Sequence, residues 1–199
     1  MIPKNKPLLD IDSVREIVAS RGLEDEDLVV VGIRGYYEKS MGNPKKNDRG
    51  IYDDAFFIVT KDKVYPFNAN TDPSAYKHGI ATLKTGLWKF IPGKHKIADP
   101  KGYPAFRQYG NVTVTRDGKA DDTGYFGINL HKGGIMTTSS LGCQTVPSAQ
   151  WLAFRDIILG ELGVTLEDIR KNPNGVPNKQ FHYLLLDKSQ AEEIIKKKI

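Results

Sequence analysis

Gly127-Ile-Asn-Leu-His131-Lys-Gly-Gly-Ile-Met-Thr-Thr-Ser139-Ser140-Leu141-Gly142-Cys143-Gln144-Thr145 is the stretch on which the reading of this chain turns. Its first residues alternate. Ile128 and Leu130 are apolar while Asn129 and His131 are polar, so a strand here buries one face and presents an asparagine and a histidine on the other. Gly133 and Gly134 open a loop directly behind the histidine, and Ser140-Leu-Gly-Cys143 closes it. Cys143 is the only cysteine of the chain. A lone cysteine is most often a small buried hydrophobe, and a lone histidine is usually just a hydrogen-bonding partner. The loop between them changes that balance, because from 132 to 140 it has few bulky apolar residues with which to bury a thiol.

A thiol is a poor nucleophile until it loses its proton, its free pKa being about 8.5. A neighbouring imidazole can take that proton, hold the thiolate as an ion pair and later protonate a leaving amine. Small residues at Ser140 and Gly142 let substrate and backbone approach the sulfur. The N–H groups of Gly142 and Cys143 are the expected donors to an oxyanion.

Outward from this stretch the pattern is mostly short strands. Leu28-Val-Val-Val-Gly-Ile-Arg34 is an apolar, β-branched run expected as a buried strand. Residues 55–60 and 63–67 flank Lys61-Asp62 as a hairpin, with Pro66 placing the second strand at an edge or end. Further strands are expected at 79–83, 86–90, 105–108, 111–116 and 126–130, with Asp117-Gly118 as a turn. The polar segment 38–50 is a loop. Helices are expected from a cap at Asp12 or Ser13, with Glu16 completing a capping box, to Gly22; over 149–160; over 165–171 from a Thr165 cap; and over 189–198, with a late strand at 181–186. The fold class is therefore α+β, a mainly antiparallel β-sandwich or barrel-like core with flanking helices.

The 199 residues suffice for one good core. The net charge of +5 favours anionic partners, although a solvated basic surface reads the same way. No apolar run is long enough to span a bilayer, so no membrane span is expected. The first residues carry no apolar segment of a secretory signal, and one cysteine allows no internal disulfide. No recognition-helix or aromatic-plus-basic strand pattern points to nucleic acid. His78, His95, His131 and Cys143 show no zinc-ligand spacing, so neither a metal nor any cofactor is expected.

The His–Cys stretch resembles the signature of the L,D-transpeptidase (YkuD-like) family, in which a strand-end histidine is followed by Ser-His-Gly-Cys. It is closer to a phage and bacterial branch with GINxHxxG and SxGCQ, matched by Gly127 to Gly134 and Ser140 to Gln144. Phe67-Asn-Ala-Asn-Thr-Asp-Pro73, Leu83-Lys-Thr-Gly86, Pro92-Gly-Lys-His95, Pro104-Ala-Phe-Arg-Gln108 and Val114-Thr-Arg-Asp117 extend the likeness over roughly residues 28 to 160. The resemblance implies an L,D-transpeptidase-type β-rich core and a cysteine acyl-enzyme acting on peptidoglycan stem peptides beside diaminopimelate. Cys143 is then the nucleophile, His131 the general base, and Ser140 and Gly142 the residues shaping the turn and oxyanion site. The chain divides as 1–27, a helical segment packing on the core; 28–146, the core with the motif; and 147–199, helices and a late strand, all within one catalytic domain. Leu141 stands where the family has its second histidine, and the His-to-Cys spacing is shorter. Both departures favour hydrolysis over transpeptidation.

The expected activity is thus a cysteine-dependent, endolysin-like peptidoglycan peptidase, made in the cytoplasm and reaching the wall by a holin-type pore or specialised secretion. The alternatives are a transpeptidase forming or exchanging cross-links, and a non-catalytic wall-binding or virion module. Asn129, His95, Arg107, Arg116 and Gln144 are candidate substrate contacts, the arginines because guanidinium suits a carboxylate. His95 reads equally as a surface histidine. Arg34 with Asp53 or Asp54 is expected as a structural ion pair, His182 as a structural histidine, and Trp88 and Trp151 as core residues, Trp151 behind the nucleophile turn.

Overall fold

The computed structural model describes residues 1–43 and 47–197. Residues 44–46 of the expected loop and Lys198 of the expected final helix lie outside them. In chain order the elements are α1 (Ile11–Ala19), β1 (Leu28–Arg34), β2 (Asp54–Thr60), β3 (Val64–Ala69), β4 (Ala81–Leu83), β5 (Gly86–His95), β6 (Tyr103–Tyr109), β7 (Val112–Arg116), β8 (Lys119–Gly124), β9 (Leu130–Lys132), β10 (Gln144–Val146), α2 (Ser148–Leu162), α3 (Leu166–Lys171), β11 (Phe181–Asp187) and α4 (Lys188–Lys196).

Eight strands form one sheet in the order β10-β9-β6-β5-β11-β1-β2-β3, and β4-β7-β8 form a second. The β1–β11 and β9–β10 pairs are parallel and the other pairs of the large sheet antiparallel. The ends of the large sheet approach each other. Asn70, just past β3, bridges Thr145 of β10, each N–H reaching the other's carbonyl at 2.8 Å. The result is an α+β architecture around a nearly closed, barrel-like sheet.

Both faces of the central strands are covered, which is why β1 and β2 read as unbroken apolar runs. One face of β1 (Val29, Val31, Ile33) packs with Phe57 and Leu184 beneath α1 and α4. The other (Leu28, Val30) packs with Phe56, Phe90, Phe106 and Tyr183 against Trp151 and Phe154 of α2. Each such aromatic or aliphatic side chain contributes about 1.5–3 kcal/mol when fully withdrawn from water. Position 32 falls on this second face, and it is a glycine because a Cβ there would collide with the Tyr183 hydroxyl.

Several local expectations shift. The α1 cap is Asp10, whose carboxylate accepts the Ser13 N–H at 2.8 Å, rather than Asp12 or Ser13. The Thr165–Asp168 capping box forms as read. α2 runs on to Leu162, where Gly163 adopts the left-handed conformation that ends it. Residues 126–129 are not in a strand. The Gln108 carboxamide oxygen takes the N–H groups of Phe126 and Ile128 at 3.1 and 3.0 Å, replacing the ladder a neighbouring strand would supply. Arg34 pairs with Asp72 at 3.3 Å, not with Asp53 or Asp54, and also donates to the Leu83 carbonyl. Trp151 is buried on the core side of α2, whereas Trp88 is only partly buried and donates to the Lys84 carbonyl.

Candidate active site

The site spans four adjacent strands. His95 ends β5, Tyr103 begins β6, His131 is central in β9, and Cys143 precedes β10. His95 and Tyr103 are register partners across the β5–β6 hairpin. The connection between them is tightly wound: Lys96 has φ 56°, and a Cβ on Gly102 would run into the carbonyl oxygens of His95 and Lys96. β9 and β10 pair in parallel, Thr145 opposite His131 and Gln144 opposite Leu130, which brings Cys143 level with Asn129.

The intervening loop is stitched down. Tyr52, deep in the core, donates to the Gly134 carbonyl at 2.7 Å. The Ser74 hydroxyl accepts the Ser140 N–H at 2.8 Å, and the Ser74 N–H reaches the Ser140 carbonyl at 2.8 Å. Ser140 then donates to the Cys143 carbonyl at 2.7 Å and accepts the Gly142 N–H at 3.0 Å. Gly142 takes φ 120°, and a side chain there would strike the Ala81 carbonyl oxygen. Only glycine fits this turn. Ile135, Met136 and Leu141 stand exposed on its outer surface.

His131 is buried, with its Nδ1 2.8 Å from the Lys132 carbonyl and 3.1 Å from the Tyr103 hydroxyl. A carbonyl only accepts, so Nδ1 carries the proton and Nε2 the lone pair. The Tyr103 hydroxyl in turn donates to the same carbonyl at 3.2 Å. Burial, then the His95 ring, pushes the His131 pKa down to about 3. The ring is neutral at physiological pH.

The Cys143 sulfur accepts the Asn129 N–H at 3.4 Å and lies 3.8 Å from the Gly127 carbonyl, a contact only a protonated thiol can make by donation. Burial pushes its pKa up to about 11, against the favourable Asn129 bond. Burial and then the nearby Cys143 push the Tyr103 phenol up to about 12. The resting pair is therefore thiol and neutral imidazole, in place of the expected thiolate–imidazolium ion pair. Among the described residues no hydrogen bond joins the two directly.

His95 comes to the centre of this group. Its ring stacks on that of His131 at 4.1 Å and 18°, and its Nδ1 is 3.1 Å from the Asn129 amide nitrogen. Burial, then Lys96 and Arg107, lower its pKa. The Lys132 ammonium lies over the Tyr103 ring at 5.2 Å.

The other candidates are engaged elsewhere. Arg107 donates to the carbonyls of Asn174 and Lys94 and to the Tyr125 hydroxyl. Arg116 pairs with Asp122 at 2.8 Å in the small sheet and lies over Phe126. Gln144 points into the core, accepting from the Tyr183 hydroxyl at 2.8 Å and donating to the Thr71 carbonyl at 3.2 Å. The Gly142 N–H is bound by Ser140, whereas the Cys143 N–H makes no hydrogen bond among the described residues. His182 lies 3.3 Å from Glu26. Tyr103 is the residue sequence reading passed over; its place beside His95 comes from the β5–β6 register, for which the sequence carries no signal.

Among the described residues no group of three or more His, Cys, Asp or Glu is placed to hold a metal ion, and no helix is long and apolar enough to cross a membrane. Comparison with known proteins finds no matching family model, no matching curated protein and no matching solved structure.

Proposed function

We propose that the chain is a cysteine peptidase of L,D-transpeptidase (YkuD-like) type, endolysin-like, cleaving stem or cross-link peptides of bacterial peptidoglycan through a thioester. The observation that carries this reading is the tautomer of His131: its Nδ1–H is fixed on the Lys132 carbonyl, which leaves Nε2 as a base on the strand paired with the one that follows Cys143. The motif resemblance supplies the substrate class. Lys96, Lys132 and Arg107 near the two imidazoles and Tyr103 supply a positive field suited to peptides bearing carboxylates.

In this mechanism the Cys143 proton passes to His131 Nε2 as the sulfur attacks the peptide carbonyl, whose π electrons move onto oxygen. The Cys143 N–H faces that oxygen. Collapse breaks the C–N bond, and His131 returns the proton to the departing amine. Water, deprotonated by His131, then attacks the thioester and releases the thiol. A neutral resting pair couples proton transfer to attack, so the sulfur is activated only when substrate is present.

Digestion of diaminopimelate-type sacculi with mass analysis tests this. New peptide fragments from the wild type, lost in a folded Cys143→Ala variant, support it. Equal release by that variant, or no fragments from the wild type, overturns it. Cross-linked or amine-exchanged products would move the assignment to transpeptidation, and binding without product to a wall-binding module.

A further inference from the structure

We propose that His95 is a second catalytic imidazole, whose Nε2–H donates to the oxyanion formed when Cys143 attacks a carbonyl. This rests on the assignment of Cys143 as nucleophile and goes beyond it.

The Asn129 side chain sets the His95 tautomer. Its Oδ1 accepts the Gln108 backbone N–H at 3.4 Å, which fixes the amide's orientation and turns its Nδ2 towards His95 Nδ1 at 3.1 Å. An amide NH2 only donates, so Nδ1 of His95 carries the lone pair and the proton of the neutral ring lies on Nε2. His131 has the opposite arrangement, because the Lys132 carbonyl holds the proton on Nδ1. Two neutral rings stacked at 4.1 Å thus present one acceptor and one donor on their Nε2 atoms.

Acyl transfer needs both. The thiol proton requires an acceptor, and the carbonyl oxygen requires donors as its charge grows. The backbone alone is one donor short here, since the Gly142 N–H is already held by the Ser140 hydroxyl at 3.0 Å. Asn129 touches both halves of the site: its main-chain N–H reaches the sulfur at 3.4 Å and its side chain orients His95. His131 is deeply buried, whereas the His95 ring over it keeps partial exposure, where a substrate oxygen can meet it. Burial and the flanking cations Lys96 and Arg107 keep the His95 ring neutral.

The test compares two reactions of the same sulfur at one pH. Acetylation by p-nitrophenyl acetate forms an S–C bond, passes through an oxyanion and expels p-nitrophenolate. Alkylation by iodoacetamide displaces iodide with no oxyanion. Both are read as mass shifts on the proteolytic peptide that carries Cys143, the sole cysteine, because p-nitrophenyl acetate also acylates lysine amines. His95→Phe, which keeps a flat ring but no donor, should slow acetylation roughly 100-fold, the loss typical of one oxyanion donor, and leave alkylation unchanged. His95→Gln, which restores a donor, should recover most of the acetylation rate. Should His95→Phe fail to fold, His95→Gln against His95→Met gives the same contrast. Equal slowing of both reactions, or no slowing of acetylation, overturns the role of His95. A wild type that is never acetylated at Cys143 overturns the nucleophile and this role together. The ratio is measured without peptidoglycan, so a failure on sacculi alone removes the substrate assignment and leaves the His95 result standing.

Discussion

The imidazole of His131 is tied to the carbonyl of its own neighbour, Lys132, at 2.8 Å, and is only 4 % exposed. Its pKa falls from an ordinary value of about 6.5 to about 3 in the fold. Between these values the unfolded chain binds the proton and the folded one does not, so stability drops as pH falls through this window, by up to about 1.4 kcal/mol per pH unit from this residue. Asp53 acts in the opposite sense. Burial raises it from 3.8 to about 6, so its stabilising share is lost as pH rises across that range. Burial raises the neighbouring Asp54 as well, so in urea unfolding from pH 7 to 4 the His131 share is read as the difference between the wild type and His131→Gln. His131→Gln should remove the acid loss and leave the variant gaining stability towards pH 4. Parallel slopes would contradict a neutral buried His131.

The thiol of Cys143, pushed up to about 11, should be slow to alkylate at neutral pH. Its rate with iodoacetamide should rise about tenfold per pH unit between pH 7 and 10, following the thiolate fraction. A rate already level below pH 8 would mean a preformed thiolate–imidazolium pair.

The Tyr103 hydroxyl is the second partner of His131 Nδ1, after Lys132. Tyr103→Phe removes two neutral hydrogen bonds, to His131 Nδ1 and to the Lys132 carbonyl, of which the one to the imidazole is worth about 0.5–1.5 kcal/mol. Turnover should fall by a factor of roughly 2 to 13, with the loss in kcat and KM little changed. An inactive but folded variant would assign the phenol a direct part in proton transfer.

Tyr183 reaches through the core to the Gln144 carboxamide oxygen at 2.8 Å. Tyr183→Phe leaves that buried acceptor without this bond and should destabilise the protein by about 1–3 kcal/mol. The folded fraction should retain wild-type KM, because Gln144 packs beneath the site and does not line it. A raised KM at full stability would restore Gln144 as a substrate contact.

The residues that were legible from sequence are those whose role is set locally. The apolar run of β1, the β2–β3 hairpin around Lys61-Asp62 and the Thr165–Asp168 box depend on neighbours a few positions away, and each forms where the pattern placed it. β8 was missed because Lys119–Gly124 is almost wholly exposed and has no apolar alternation; it is a strand only through its pairing with β7. β10 is short and hidden inside the motif. The same distinction holds in the site. Gly142 and Ser140 were readable because the turn is a short-range device. The engagement of Gln144 by Tyr183 and of Arg116 by Asp122, and the stacking of His95 on His131, are set by strand register, which no window of sequence carries.

The Asn70–Thr145 bridge closes the sheet two positions beyond the sulfur. An incoming peptide therefore finds that rung of β10 already taken and cannot lengthen the sheet there as an added strand. On the proposed peptidase reading, a substrate at this place is therefore held through its side chains and termini and not as an added strand of this sheet.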